Sequence, residues 1–274
     1  MTKAAMRAMD ATQAFLKEKY DLHPDKFVVT GASKRGWTTW MTAAFDARVE
    51  AIAPMVIDTL NFPKQMALQL ESFGKFSEQI KDYTDLDLPK RMQTEDGQRL
   101  IQLIDPYVYR DRLTMPKLIV LGTNDRYWPV DAVKLYFGDL PGEKYIHEVP
   151  NAGHGLGAGV LEAVGAFYDD VLEHRDRPKF GWKTEAKNGE SVTTLTTGDL
   201  PVKVELWTAT SASRDFRDAK WTGEEIPGDD GVWVARRTVP ESGFEAYHLR
   251  LTYKSAAGFE YALSTNVEVV GVKK

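Results

Sequence analysis

The chain has 274 residues, 43% hydrophobic and 27% charged, a globular balance with length for one large domain or two unequal ones. Lys and Arg total 35 against 40 Asp and Glu, so a formal charge of −5 supplies no basic field for nucleic acid. The absence of cysteine excludes thiol nucleophiles, disulfides and Cys-ligated metals; none of the five histidines lies in H-E-x-x-H, and no apolar run approaches the ~20 residues of a membrane span.

Residues 2–20 place Ala5, Met9, Thr12, Phe15, Leu16 and Lys19 at three-and-four spacing, which predicts an amphipathic helix. Residues 26–30 read as a short buried strand ending at Gly31. Trp37, Trp40, Met41, Ala44 and Phe45 then resume a helical stripe. Apolar runs at 49–57, 116–121 and 145–149 read as further strands. Asp131 is placed to cap a helix over 133–137 that Gly138 ends. Leu156, Val160, Leu161, Val164, Phe167, Tyr168 and Val171 outline a final long helix. This alternation predicts an α/β domain over 1–177, a parallel sheet covered by helices. Residues 61–114 interrupt it with helical periods and no strong strand, either as a cap over a site or as a plain elaboration. After residue 178 the period becomes two: Val202, Val204 and Leu206 alternate with Lys203, Glu205 and Trp207, and Tyr247, Leu249, Leu251 and Tyr253 do the same. About seven short strands in the remaining stretch, 178–274, predict a small all-β sandwich.

The segment from Phe27 to Gly36 carries the most chemistry. An apolar strand enters a turn of small residues with one serine, Ser33, and a helix follows. Such a turn exposes a nucleophile, and the helix N-terminus aims N–H groups at a developing oxyanion. A plain junction with Ser33 as helix cap is the rival reading. A short-chain dehydrogenase loop is excluded: Trp37 stands where its last glycine belongs, and no Tyr has a Lys four positions on. A serine hydroxyl needs an imidazole to take its proton and a carboxylate to orient that imidazole. Asp125 follows the run at 116–121, and His154 sits in a glycine-rich loop after the run at 145–149. All three residues then fall at the carboxyl ends of parallel strands, where such sheets place their sites. Asp131 is the competing carboxylate, already explained by its cap.

The ordered motifs V-T-G-A-S-K-R-G-W at 29–37, G-T-N-D-R-Y-W at 122–128, N-A-G-H at 151–154, and L-W-T-A-T with R-D-F-R at 206–217 resemble the PhoPQ-activated pathogenicity-related protein family of the α/β-hydrolase superfamily. The serine turn is also similar to that of glucuronoyl esterases, where a basic residue after the serine helps hold the oxyanion; by that analogy Lys34 takes the role, the alternative being that Lys34 and Arg35 are solvated first-turn charges. The resemblance implies an exported bacterial protein, although residues 1–10 lack the apolar core of a secretory signal. It implies a serine hydrolase acting on a small-molecule, peptide or carbohydrate ester or an amide, with no cofactor or metal. Ser33 attacks, His154 is base then acid, Asp125 orients His154, and the Lys34 N–H holds the oxyanion; Tyr127 and Trp128 line the substrate pocket or pack against the final helix. In that fold the nucleophile strand lies mid-sheet, whereas here it comes first. The expectation is therefore the carboxyl-terminal part of a longer protein, or a degenerate descendant, with an open sheet edge and one oxyanion donor missing. The alternatives are a hydrolase-like binding or signalling protein without turnover, and a sandwich that binds glycan through Trp207, Trp221 or Trp233.

Overall fold

A computed structural model describes residues 1–272. Helix α1 (Thr2–Tyr20) leads into β1 (Phe27–Ala32), α2 (Lys34–Phe45) and β2 (Val49–Met55). Four helices follow, α3 (Phe62–Phe73), α4 (Lys81–Thr84), α5 (Leu88–Arg91) and α6 (Glu95–Ile104), then β3 (Lys117–Gly122), β4 (Lys144–Val149) and α7 (Val160–Leu172). Strands β1 to β4 pair in parallel, in chain order. Both faces are covered, which is why these strands read as continuous apolar runs. Trp40, Ala43 and Ala44 of α2 pack on Ile52, Ile119 and Ile146. On the other face Ala163, Val164 and Phe167 of α7 pack on Ala51, Leu118, Val120 and Tyr145.

Eight further strands follow among the described residues: β5 (Phe180–Lys187), β6 (Glu190–Thr197), β7 (Lys203–Ser211), β8 (Thr222–Glu225), β9 (Val232–Thr238), β10 (Phe244–Lys254), β11 (Glu260–Ser264) and β12 (Glu268–Gly271). They make two antiparallel layers, and the larger is not separate from the parallel sheet. Strand β11 meets β4 at Ser264 and Ile146, so one sheet runs β1-β2-β3-β4-β11-β10-β7-β8, with β12 also on β10. Sheet β5-β6-β9 covers it: Leu195 and Ala235 join the core of Val204, Leu206 and Leu249, while Ser191 and Thr193 hydrogen-bond Tyr247 Oη.

Two local expectations need correction. Residues 132–139 form two short 3-10 turns, not a helix, and Asp131 makes no side-chain cap. Its carboxylate is taken by the guanidinium of Arg214, which also donates from Nη1 at 3.1 Å. The last helix starts at Val160 rather than near 156, because the positive φ of Leu156 and of Gly159 breaks the earlier turn. Strand β1 is an edge strand, and Tyr168 Oη donates to its Val29 carbonyl at 2.7 Å.

Candidate active site

Ser33 occupies the position before α2 with φ 54° and ψ −125°, a conformation that costs a non-glycine residue of order 1–3 kcal/mol. Its N–H donates to the Met55 carbonyl at 2.9 Å, and its hydroxyl makes no cap hydrogen bond, so helix capping does not account for the serine. Two glycines make the turn possible. A methyl on Gly31 would lie 2.7 Å from the Arg35 backbone, and one on Gly36 2.5 Å from Ile57 Cγ2. The extra residue between Ser33 and Gly36 thus keeps the close helix–strand crossing. As the first helical residue, Lys34 has no helical acceptor for its N–H. The Lys34 side chain lies beside the Asp82 carboxylate of α4, Nζ 3.9 Å away, and both residues border the same cavity as Ser33.

Asp125 and His154 meet because the loops after β3 and β4 interlock. Asn124 N–H donates to the Ala152 carbonyl at 2.9 Å, and Asn151 N–H to Thr123 Oγ1 at 2.9 Å. Asp125 Oδ2 lies 2.8 Å from His154 Nδ1, while Oδ1 accepts the Tyr127 N–H at 2.8 Å. With Nδ1 protonated toward Asp125, Nε2 is the basic nitrogen. That Nε2 is buried without a hydrogen-bond partner. The Tyr127 ring lies against the imidazole, centroids 4.1 Å apart and planes tilted by 31°.

Ser33, Lys34, Tyr127, Trp128 and His154 all border one cavity of about 80 Å3, and Asp125 lies behind it. Ser33 and His154 share its wall without a hydrogen bond between them. Trp128 both faces the cavity and packs among the helices of 61–104. Those helices roof the cavity through Gln79, Ile80, Asp82 and Tyr83. They are fastened to the acid loop: Gln69 Nε2 donates to the Tyr127 carbonyl at 2.9 Å and Ser77 Oγ to that of Arg126 at 2.6 Å. Trp37 Nε1 donates to the Ile104 carbonyl at 2.8 Å, tying the roof to α2.

Residues 214–221, read in the sequence only as a family motif and, at Trp221, as a glycan-binding candidate, brace the loops that carry Asp125 and His154. Asn124 Nδ2 donates to the carbonyls of Phe216 (3.1 Å) and Ala219 (2.7 Å). Asn151 pairs with the Trp221 backbone through both amide atoms, at 3.0 and 2.8 Å. The only hint in the sequence was that R-D-F-R is dense in paired charges. Behind Asp125 lie two further acids. Burial pushes the Asp58 carboxyl up to about 7 despite the Tyr136 hydroxyl at 2.5 Å, and burial also raises Glu148 well above the usual range. Burial thus favours the neutral form of both acids behind Asp125, and Asp58 gives up its proton as pH rises through about 7. Among the described residues no three acidic or histidine side chains are placed to hold a metal ion.

Trp221 is buried, while Trp207 over Gly223 and Trp233 over Gly228 are half-buried. No described helix is long and apolar enough to cross a membrane.

The profile of the PhoPQ-activated pathogenicity-related protein family matches residues 1–217. Autocrine proliferation repressor protein A of Dictyostelium discoideum is 32% identical over 298 aligned residues, covering 98% of this chain and 60% of that protein. The chain therefore spans less than two thirds of that relative's length. Among solved structures, acetyl xylan esterase 1 from Thermoanaerobacterium sp. JW/SL YS485 is 20% identical with a TM-score of 0.45, over 58% of this chain and 50% of that one. The Pyrococcus horikoshii acylaminoacyl peptidase is 18% identical with a TM-score of 0.40, over 54% and 23%. The motifs, the profile and the Dictyostelium relative agree: this chain belongs to the PhoPQ-activated pathogenicity-related protein family.

Proposed function

We propose that the chain is a serine hydrolase that cleaves carboxylic esters or amides by acyl transfer. The observation that carries this reading is a buried, unpartnered His154 Nε2, oriented by Asp125, on the wall of the same cavity as a serine held at positive φ. Ser33 Oγ attacks the carbonyl carbon as its proton passes to His154 Nε2. The oxyanion is met by the Lys34 N–H at the start of α2. The tetrahedral intermediate collapses, the leaving oxygen or nitrogen takes the proton from Nε2, and the acyl group stays on Ser33. Water then attacks, gives its proton to Nε2, and the carboxylic acid departs as Ser33 regains its proton. Apo catalytic contacts are often long, so the absent Ser33–His154 bond is compatible with this scheme.

The test is covalent labelling by a fluorophosphonate probe. Wild type is expected to label, and Ser33→Ala to lose the label with its fold intact; a label retained in that variant removes Ser33 from its role. A second reading, a protein that binds or signals without turnover, is supported by the name of the Dictyostelium relative, a proliferation repressor. It predicts no label and no acyl-enzyme in wild type.

A further inference from the structure

The cavity beside Ser33 is small and its walls are unequal. Its volume of about 80 Å3 is far below the ~300–1,000 Å3 of pockets for drug-sized ligands, and holds on the order of three water-sized groups. The inner wall is Trp37, Ile57, Ile80, Tyr83 and Trp128. Ile80 and Trp128 are buried, and the roof is held to the acid loop and α2 by the Gln69, Ser77 and Trp37 hydrogen bonds. This side cannot widen without breaking them. The lining also includes the Lys34–Asp82 pair, whose side chains are 62% and 73% exposed, a contact that opens at little cost. Resting on the hydrolase reading above, we infer that the substrate class is esters of short carboxylic acids, about two to four carbons. The acyl group fills the closed aromatic end, and the leaving group projects past Lys34 and Asp82.

A p-nitrophenyl ester series from acetate to octanoate tests this, with nitrophenolate release timed and the acyl adduct on the Ser33 peptide found by mass spectrometry. The expected kcat/KM is highest at acetate or propionate and falls about tenfold or more by hexanoate, because an overpacked site resists extra methylenes. Tyr83→Ala, which removes part of the inner wall, should move the optimum to longer acids. Octanoate handled as well as acetate by wild type overturns the inference and leaves the hydrolase reading standing. No adduct with any ester, in a folded protein, sinks both.

A different observation identifies a second oxyanion donor. Thr59 is 2% exposed and borders the cavity, yet its Oγ1 has no hydrogen-bond partner. Thr252 and Ser255 also carry buried hydroxyls without a partner, but of these three only Thr59 borders the cavity, where a ligand can meet the unpaired group. The path that brings it there is strained: Val56, the residue after β2, sits at φ 44°, an outlier for a β-branched residue. We infer that the Thr59 hydroxyl donates to the oxyanion opposite the Lys34 N–H. Thr59→Val keeps the shape and removes the donor. It should lower the acylation kcat about 10²–10³-fold with little change in KM, as for an interaction made only in the transition state. Its melting temperature should be equal to or above that of wild type, and Thr59→Ser should restore most of the rate. A Val variant that acylates at the wild-type rate overturns this role, as does a Ser variant as slow as Val. A wild type that forms no acyl-enzyme sinks the hydrolase reading itself.

Discussion

Gly122, the last residue of β3, is where the geometry of the site is most exposed to a single methyl group. A Cβ built there lies 2.5 Å from the Ala152 carbonyl oxygen and 2.8 Å from that of Gly153, both backbone atoms of the His154 loop. Carbon contacts settle near 3.5 Å, so Gly122→Ala must push the histidine loop away by roughly 1 Å. The Asp125–His154 distance, now 2.8 Å, would open to about 3.8 Å, beyond hydrogen-bond reach. A misplacement of that size costs about 10²-fold in rate, and the overpacking costs about 1–3 kcal/mol of stability. Gly153→Ala is the control within the same crossing: its Cβ meets only the Asn124 carbonyl, at 3.6 Å, an ordinary contact. The assay is the acylation rate with p-nitrophenyl acetate beside thermal unfolding of each variant. Gly122→Ala acylating at the wild-type rate, or Gly153→Ala being equally slow, would refute the reasoning.

Asn124→Ala removes the side-chain donor to the 216–219 carbonyls and should cost about 1–3 kcal/mol, read as a lower urea midpoint at unchanged m-value, together with slower acylation. An unchanged midpoint would show that these bonds do not brace the loop. Asp58 titrates in the folded chain near 7, above its usual 3.8, so its contribution is full below pH 4 and is lost as pH rises through 7. Asp58→Asn is therefore expected to gain on wild type by up to about 4 kcal/mol at pH 8 and by nothing at pH 4, measured by urea unfolding at both. Buried His147 and His248 act with the opposite sign. Burial holds both down to about 3, so stability is lost as pH falls below 6.5, and Asp58→Asn should lose stability more steeply than wild type between pH 7 and 4.

How far the sequence was legible follows from which features are local. The strand–turn–helix at Ser33 is encoded within ten residues, since Gly31 and Gly36 are needed only for the crossing of adjacent elements, and both turned out to be sterically obligatory. The loops carrying Asp125 and His154 were equally legible, each following an apolar run that became β3 or β4. What the pattern hid was long-range. Asp131 looked like a cap because a cap is a local device, while its actual partner, Arg214, lies in the other half of the chain. The role of 216–221 is carried by its backbone carbonyls and N–H, which have no signature in residue type. The change of period after 178 suggested a boundary. Nothing in it showed that β11 would hydrogen-bond β4, because strand pairing depends on free edges that both strands offer.

That pairing makes the second half part of the site. Cutting the chain after residue 177 would expose the edge of β4, remove the Ser264 hydroxyl that accepts the Glu148 N–H at 2.9 Å, and uncover Leu118, Val120 and Tyr145 where Val204, Leu249 and Leu251 share their core. It would also release Asn124 and Asn151 from the 216–221 backbone, leaving two interlocked loops to hold Asp125 against His154 alone. An open apolar edge invites pairing between chains. Residues 1–177 expressed alone are therefore expected to aggregate, or to remain soluble without reacting at Ser33. A soluble 1–177 fragment that labels with a fluorophosphonate as fast as the whole chain would show that the parallel half assembles its own site. The contacts from 214–221 would then be ordinary packing rather than the brace that their geometry indicates.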